Sequence, residues 1–597
     1  MKQSRKEFLK NILMGTGSLF LWTSCNDAFL NRKPLDQISS DSFWNKEDDL
    51  KVYNNSLYDM ARHDDNVPIM MGHDEGFGSH NVSLWYIDQF SDNMAPTHPR
   101  QTFYNQIRSG ANYIPDSPGG QMYGYRGWDF VRSINYGLEQ TAKADIGQAV
   151  KDKYAAEARL FRGWFYADKV SKFGDVQWVD KPLNIDSEAL NEARTPRDEV
   201  MGHVLDDLKF ATQNLPNDWG DGNAPGRLNR WCALAIKSRV CLFEGTWQKY
   251  HGGSNSEMWL QEAASAAKEV IDNGPYSLYS TGDPQNDYNA YMRIIDLSGN
   301  PEVMYWRKYK TGVVNNWIQS YFTGYSGGVT KSLVDDYLCT DGQPISKSGL
   351  YQGDEQIEDV FKNRDPRLRQ TVLHPDDSGK YNYNADGRDY PRFPGMTGVN
   401  STTGYHIIKY YNADDYIGHA YNTSESPAIT IRFGEVLLNY AEAMAELGTI
   451  TQSDLDMSIN KLRDRVGMPH LNMGNVPQDP NHANDGVPPL IVEIRRERRV
   501  ELAIEGFRYF DLLRWKQGHK LAEQIMGLRW NSAAEARYQG AQVDTVKDPD
   551  SGKTYIDPYA GLDWDNAKFD ENKNYFWPIP LSVMSRNSNI KQNPGWG

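Results

Sequence analysis

The chain has 597 residues, 39% of them hydrophobic and 24% charged, which is an ordinary globular balance with ample length for a large core. A formal net charge of −15 and a pI near 5.4 exclude a phosphate-tracking surface, which needs clustered Lys and Arg. The 17 Trp, 35 Tyr and 21 Phe supply stiff contact area, readable as core packing or as a stacking surface for a flat ligand.

Residues 1–24 read as an export signal. Lys2, Arg5, Lys6 and Lys10 form a basic head, Ile12 to Trp22 form a short apolar stretch, and Thr23-Ser24 lead to Cys25. The apolar stretch is too short to span a bilayer, which takes ~20 residues, and mean hydropathy over the chain is −0.70. Small residues followed by Cys resemble a bacterial lipobox, although Trp22 stands where Leu is usual. Cys25 is therefore the expected lipid-bearing residue, and a multiply acylated Cys anchors stably at a membrane. Of 4 Cys, three then remain, which excludes a fully paired disulfide framework. Cys232 and Cys241 fall nine positions apart on one predicted helix, ~13 Å of rise and too far for a bridge. They are expected as small buried apolar side chains.

Beyond the signal, Ser39 to Asp41 supply N-cap residues ahead of Phe43-Trp44. Helices are predicted near 128–142, on the stripe Tyr154, Ala158, Phe161 and Phe165, and from Thr195-Pro196 through Val200, Val204, Leu208, Ala211 and Leu215. Further helices follow near 229–246, 257–273, from Phe433 to Leu447, and near 455–466. They fall into loose pairs, as in arrays that stack one helix hairpin on the next. Between them lie stretches rich in Gly, Pro, Asn, Asp and aromatics, roughly 62–127, 276–330, 374–428 and 528–578. Their aromatic content argues against disorder, so they are expected to be ordered, irregular surface segments with few, short strands.

Three patterns suggest chemistry and are outweighed. Gly324-Tyr325-Ser326-Gly327-Gly328 fits the G-x-S-x-G nucleophile elbow, but that motif needs an alternating strand–helix fold that the pattern lacks. Asn382 to Gly387 opens like a calcium loop, yet Phe393 occupies the position of the bidentate Glu. Nothing singles out a glycosidase carboxylate pair among the 79 acidic residues. No catalytic residue, metal site or cofactor is expected.

Several blocks, taken in order, carry a family resemblance: Cys25 to Leu30, Phe43-Trp44, Tyr154 to Arg162, Phe173 to Val176, Thr195 to Pro216, Arg432 to Ala443, Asn460 to Pro469, Ile494 to Trp515, Trp577 to Pro580 and Gln592 to Gly595. Their order and spacing resemble the SusD/RagB family of outer-membrane nutrient-binding lipoproteins across the mature chain. The resemblance implies an all-α-dominated fold on tetratricopeptide-like helix pairs, with long irregular loops and a few short strands. It implies one unit over 25–597, with an N-terminal region at about 25–220 and a C-terminal region at about 300–597. It also implies a surface lipoprotein that captures oligosaccharide or polysaccharide, or in some members peptide, for a SusC-like TonB-dependent β-barrel transporter. Such a protein faces the cell exterior from the outer membrane.

A glycan site needs aromatic platforms edged by Arg, Asn and Asp. Two loop regions offer this mixture, and the resemblance points to the same two. From them Trp85, Arg100, Phe103, Tyr104, Tyr291, Trp317 and Tyr321 are the expected ligand contacts. The block at 494–515 reads differently. Placed on one helix, Glu493, Glu497, Glu501 and Glu505 form a single column whose like charges repel. Only Glu493–Arg496 and Arg498–Glu501 are opposite pairs three residues apart. The acidic column therefore calls for cations from elsewhere, such as Arg508 or Arg514, in a structural ion network.

Overall fold

The computed structural model describes residues 43–61, 69, 71–73, 83–95, 113–118, 124–220, 226–319, 327–377, 401–412, 415, 423–562, 565 and 567–597. Cys25, the Ser39–Asp41 caps, Ser326 and the Asn382–Phe393 loop lie outside these residues.

Helices dominate. Among the described residues the first six are α1 (Glu47–Met60), α2 (Trp128–Lys143), α3 (Gln148–Phe173), α4 (Arg197–Asn214), α5 (Arg230–His251) and α6 (Ser256–Asn273). α2 packs on α3, α3 on α4, α4 on α5 and α5 on α6, so each helix packs on the one that follows it. The hairpin of α5 and α6 shows why the sequence folds this way. The Asn229 side chain caps α5 by accepting from the Cys232 N–H, and Gly252, at φ +82°, ends it behind Lys249 and His251. Cys232 and Cys241 are free and buried, as expected of small apolar side chains.

The later helices are α7 (Lys331–Asp336), α8 (Pro366–Thr371), α9 (Phe433–Glu446), α10 (Gln452–Met457), α11 (Ile459–Arg465), α12 (Pro489–Glu501) and α13 (Arg508–Arg514). The single helix expected near 455–466 is two, broken at Ser458, whose φ of −127° and ψ of −91° are not helical. α9 packs on α6 and on α12, joining the two sets of helices. Among the described residues the strands are short and pair antiparallel in twos: β1 (Met94–Ala95) with β3 (Gly328–Val329), β2 (Val303–Arg307) with β4 (Ala428–Arg432), and β5 (Thr545–Lys547) with β6 (Thr554–Ile556).

One apolar core takes in residues from Leu57 to Ile590. The irregular segments contribute to it heavily, which corrects the expectation that they are surface features. Trp85, Phe90, Met94, Trp306, Trp317 and Tyr405 are all buried. Among the described residues their aromatics are therefore largely core packing, because long loops on a helical scaffold must bury apolar area of their own to stay ordered.

The arginine-rich block folds as two elements. α12 ends at Glu501, and a turn holding Ile504 at φ +62° and Gly506 at φ +85° precedes α13. A Cβ on Gly506 would lie 2.1 Å from the Leu84 carbonyl oxygen, so this turn needs glycine both for its backbone and for its close approach. Glu505 lies beyond the helix and leaves the predicted column. Glu501 meets cations from three other elements: Arg465 Nη2 at 2.6 Å, Arg432 Nη1 at 2.8 Å and Arg367 Nη1 at 3.0 Å. These are not the expected Arg508 and Arg514. Arg508 forks onto Asp92, and Arg514 bonds Glu442 and Asp511. Arg496 does reach Glu493 at 3.1 Å, but Arg498 turns to Asp511 at 2.8 Å instead of Glu501.

Candidate ligand-binding site

The described structure places one end of each expected ligand loop. Ala95 pairs with Gly328 in the β1–β3 ladder. The Thr402 hydroxyl donates to the Ala95 carbonyl at 2.6 Å, and the Val329 N–H donates to the Tyr405 carbonyl at 3.1 Å. One end of each of the segments 96–112, 320–326 and 378–400 therefore joins the described chain beside this ladder, although Ala95 and Gly328 are 233 positions apart in sequence and Gly328 and Thr402 are 74 apart. Glycine at 328 makes the approach possible, because a Cβ there would lie 2.0 Å from Thr403 Oγ1. Ile525 and Tyr559 pack on Ala95 beneath this junction.

The arginine block holds the junction in place. Arg508 Nε and Nη2 each lie 2.8 Å from Asp92, and Arg499 Nε donates to Asn93 Oδ1 at 2.9 Å, directly ahead of β1. The Thr330 hydroxyl donates to the Asp92 carbonyl at 2.6 Å, tying the end of β3 to the same residues. On α7, Asp336 accepts from Arg499 Nη1 at 2.5 Å, Arg496 Nη1 at 3.0 Å and His482 Nε2 at 2.9 Å. Burial alone would raise the Asp92 and Asp336 carboxyls. The cations outweigh it, Arg499 and Arg508 at Asp92 and Arg499, His482 and Arg496 at Asp336, and hold both below the ordinary carboxylate range. Burial works unopposed enough at Asp88, in the turn Leu84–Phe90, to push its carboxyl up to about 7. A family of charge-assisted bonds to rigid guanidinium forks thus fixes the floor from which the loops leave.

The expected contact residues divide into two groups. Trp85 and Tyr291 have 0% exposure and Trp317 has 4%, so these three are core residues and offer no open ring face to a ligand. The correction has a simple physical cause, since an indole or phenol flanked by apolar residues gains more by burial than by waiting at a surface. Tyr291 also donates its hydroxyl to Glu302 Oε1 at 3.2 Å, inside the ion network. Arg100, Phe103, Tyr104 and Tyr321 lie outside the described residues, on the segments that leave the junction. Sequence reasoning did not foresee the junction residues Asp92, Asn93, Thr330, Asp336 and Thr402. The only signal for them was the surplus of arginine at 495–499, which shows that partners exist but not which ones.

These features define a helix-dominated scaffold in which Ala95, Gly328 and Thr402, from distant parts of the chain, meet at one junction. The sequence profile described as the SusD family matches residues 244–596, more than half of the chain, and the chain belongs to that family. A SusD-like protein P2 from Formosa agariphila is 24% identical over 446 residues, covering 74% of each chain. A SusD-like protein from Bacteroides ovatus is 21% identical over 595 residues, covering 95% of this chain and 92% of the relative. The fold is shared with the crystal structure of a SusD-like carbohydrate binding protein from Bacteroides fragilis, at a TM-score of 0.69 and 22% identity, covering 92% of this chain and 100% of that one. The α/β scaffold that a Ser326 elbow would need is missing among the described residues, whose sheets are three antiparallel pairs.

Proposed function

We propose that this chain is a cell-surface glycan-binding lipoprotein, tethered to the outer membrane through Cys25, that captures oligosaccharide or polysaccharide and delivers it to a SusC-like TonB-dependent transporter. The observation that carries this reading is the junction at Ala95, Gly328 and Thr402. The segments that bear Arg100, Phe103, Tyr104 and Tyr321 follow Ala95 and precede Gly327 in the chain, which supports reading them as parts of one site. A planar guanidinium and three aromatic rings suit a ligand with apolar C–H faces and a hydroxyl rim. Membership of the SusD family supports the class of ligand, as does the Bacteroides fragilis protein described as carbohydrate binding. The basic head, short apolar stretch and Cys25 support the tether. The domain reading that goes with this proposal is a signal over 1–24 followed by one unit over 25–597.

The test is retardation of the mature protein in gels containing a panel of polysaccharides, with titration calorimetry against the panel and against peptide pools. The expected result is binding to a glycan, weakened at least roughly tenfold, or ~1.4 kcal/mol, by Ala at Phe103, Tyr104 or Tyr321. Tight binding to peptides alone would replace the glycan with peptide on the same scaffold. Release of reducing ends or esters from the panel would instead make the protein a hydrolase. Mass spectrometry of the mature N-terminus tests the tether, and co-purification of a β-barrel from solubilised membranes tests the partner.

A further inference from the structure

A cavity lies apart from the loop junction, between α3, α5, β4 and the turn at Gly506-Phe507. It has a volume of about 170 Å³ and is partly open to solvent. Trp164 and Phe507 form aromatic parts of its wall. The Arg239 guanidinium lies 5.1 Å from the Phe507 ring centre and 5.9 Å from that of Trp164, and Arg498 lies 5.4 Å from Phe507. Both arginines are already committed. Arg239 Nε and Nη2 each lie 2.6 Å from Glu435, and Arg498 Nε lies 2.8 Å from Asp511. The guanidiniums therefore stiffen the aromatic wall without offering a free fork to an anion.

The rest of the lining favours hydroxyl groups. A carboxylate has about four acceptor sites. Glu435 uses its sites on Arg239 and, at 3.4 Å, on Asn439, and Asp168 accepts from Lys172 at 2.7 Å through each oxygen. Both line the cavity and keep acceptor capacity. Arg197 also lines it and donates to Glu244 at 2.6 Å, while its Nε and Nη2 and Glu244 Oε2 have no hydrogen-bond partner. A hydrocarbon-lined cavity of about 150 Å³ takes up benzene, so this one has room for a single six-membered ring. A purely apolar ring would leave the remaining acceptor sites of these two paired carboxylates without a donor. A ring with two apolar faces and a hydroxyl rim satisfies both halves of the lining.

We infer that this cavity binds one pyranose ring, its C–H face against Trp164 and Phe507 and its hydroxyls donating to Asp168 and Glu435. The site shares no residue with the β1–β3 junction and does not rest on the reading of that junction. The experiment titrates the mature protein with free hexoses and pentoses, and separately with indole, by ligand-observed NMR and Trp fluorescence. Ala167→Phe and Ser171→Leu fill the cavity from α3 without touching an ion pair between side chains. The expected result is saturable binding of at least one pyranose, lowered at least roughly tenfold by each variant that retains the wild-type thermal midpoint. Retardation by polysaccharide should be unchanged in the same variants, which separates this site from the loop junction. Failure of every pyranose to bind the wild type would overturn the inference. So would pyranose binding that is unaltered in the folded variants, or binding of indole without any pyranose.

Discussion

α5 and α12 are both buried helices, yet they are buried by opposite means. α5 carries Trp231, Cys232, Leu234, Ile236, Val240, Cys241 and Leu242 into the core against α6. α12 carries Arg495, Arg496, Arg498, Arg499, Glu493, Glu497 and Glu501 to equally deep positions. Dispersion and the hydrophobic effect act on α5 without direction, so its contacts tolerate changes of shape. The charges of α12 are stable only when paired, and each pair has a specified partner at a specified distance. Packing makes α5 a general support, whereas pairing makes α12 a positioning device for the stems at Asp92 and Asp336.

That contrast is open to direct tests, the largest first. Glu501→Ala leaves Arg367, Arg432 and Arg465 around an empty site, and should cost about 3–5 kcal/mol in denaturant unfolding, as removal of one partner of a buried pair does. Full stability in this variant would mean that the network is dispensable. Ile236→Val, in the apolar helix, should cost only about 0.5–1.5 kcal/mol, with the curve otherwise unchanged. Asp92→Asn should weaken ligand binding at the junction more than it weakens the fold, which comparison of glycan retardation with the unfolding midpoint will show. An effect on stability alone would reduce Arg499 and Arg508 to packing roles.

The pH dependence has a defined sign. Burial lowers the His482 pKa, but Asp336 and Asp485, on its two ring nitrogens, more than reverse this and leave it raised, against opposition from Arg496. A raised folded pKa means that the ion pairs contribute fully below the unfolded value of about 6.5 and are lost as pH rises through the folded value. The stability difference between wild type and His482→Gln should therefore shrink from about pH 6 upward, and a constant difference would break the link to protonation. The smallest effect belongs to the surface. The exposed Lys143–Glu139 pair on α2 should contribute at most about 0.5 kcal/mol, measured by the unfolding midpoint of Glu139→Gln.

Much of this was legible in the sequence. Three- and four-residue apolar spacing located α4 and α9 to within a few residues and the middle of α3, which runs six residues before the Tyr154–Phe165 stripe and eight beyond it, because one buried face imposes that period. The ordered blocks from Phe43-Trp44 to Gln592–Gly595 pointed to the family, and the surplus of arginine at 495–499 pointed to a buried network. The partners in that network were not legible. Glu501 meets Arg367, Arg432 and Arg465 across 134, 69 and 36 positions, and no local pattern records such distances. The aromatic platforms failed for a related reason. Trp85, Tyr291 and Trp317 lie in the same irregular, polar-interspersed segments as the other expected contacts, although apolar residues such as Tyr86, Met292 and Ile318 flank them, and only the fold decides which rings are covered.

Local periodicity and composition thus determined the helices, the dominance of helix over strand and the need for paired charge, since each follows from nearest-neighbour geometry. Tertiary structure alone decided that β1, β3 and Thr402 meet, which carboxylates answer which arginines, and where Trp164 and Phe507 leave a cavity. Those outcomes depend on contacts between residues far apart in the chain, whose directions are set only when the core closes.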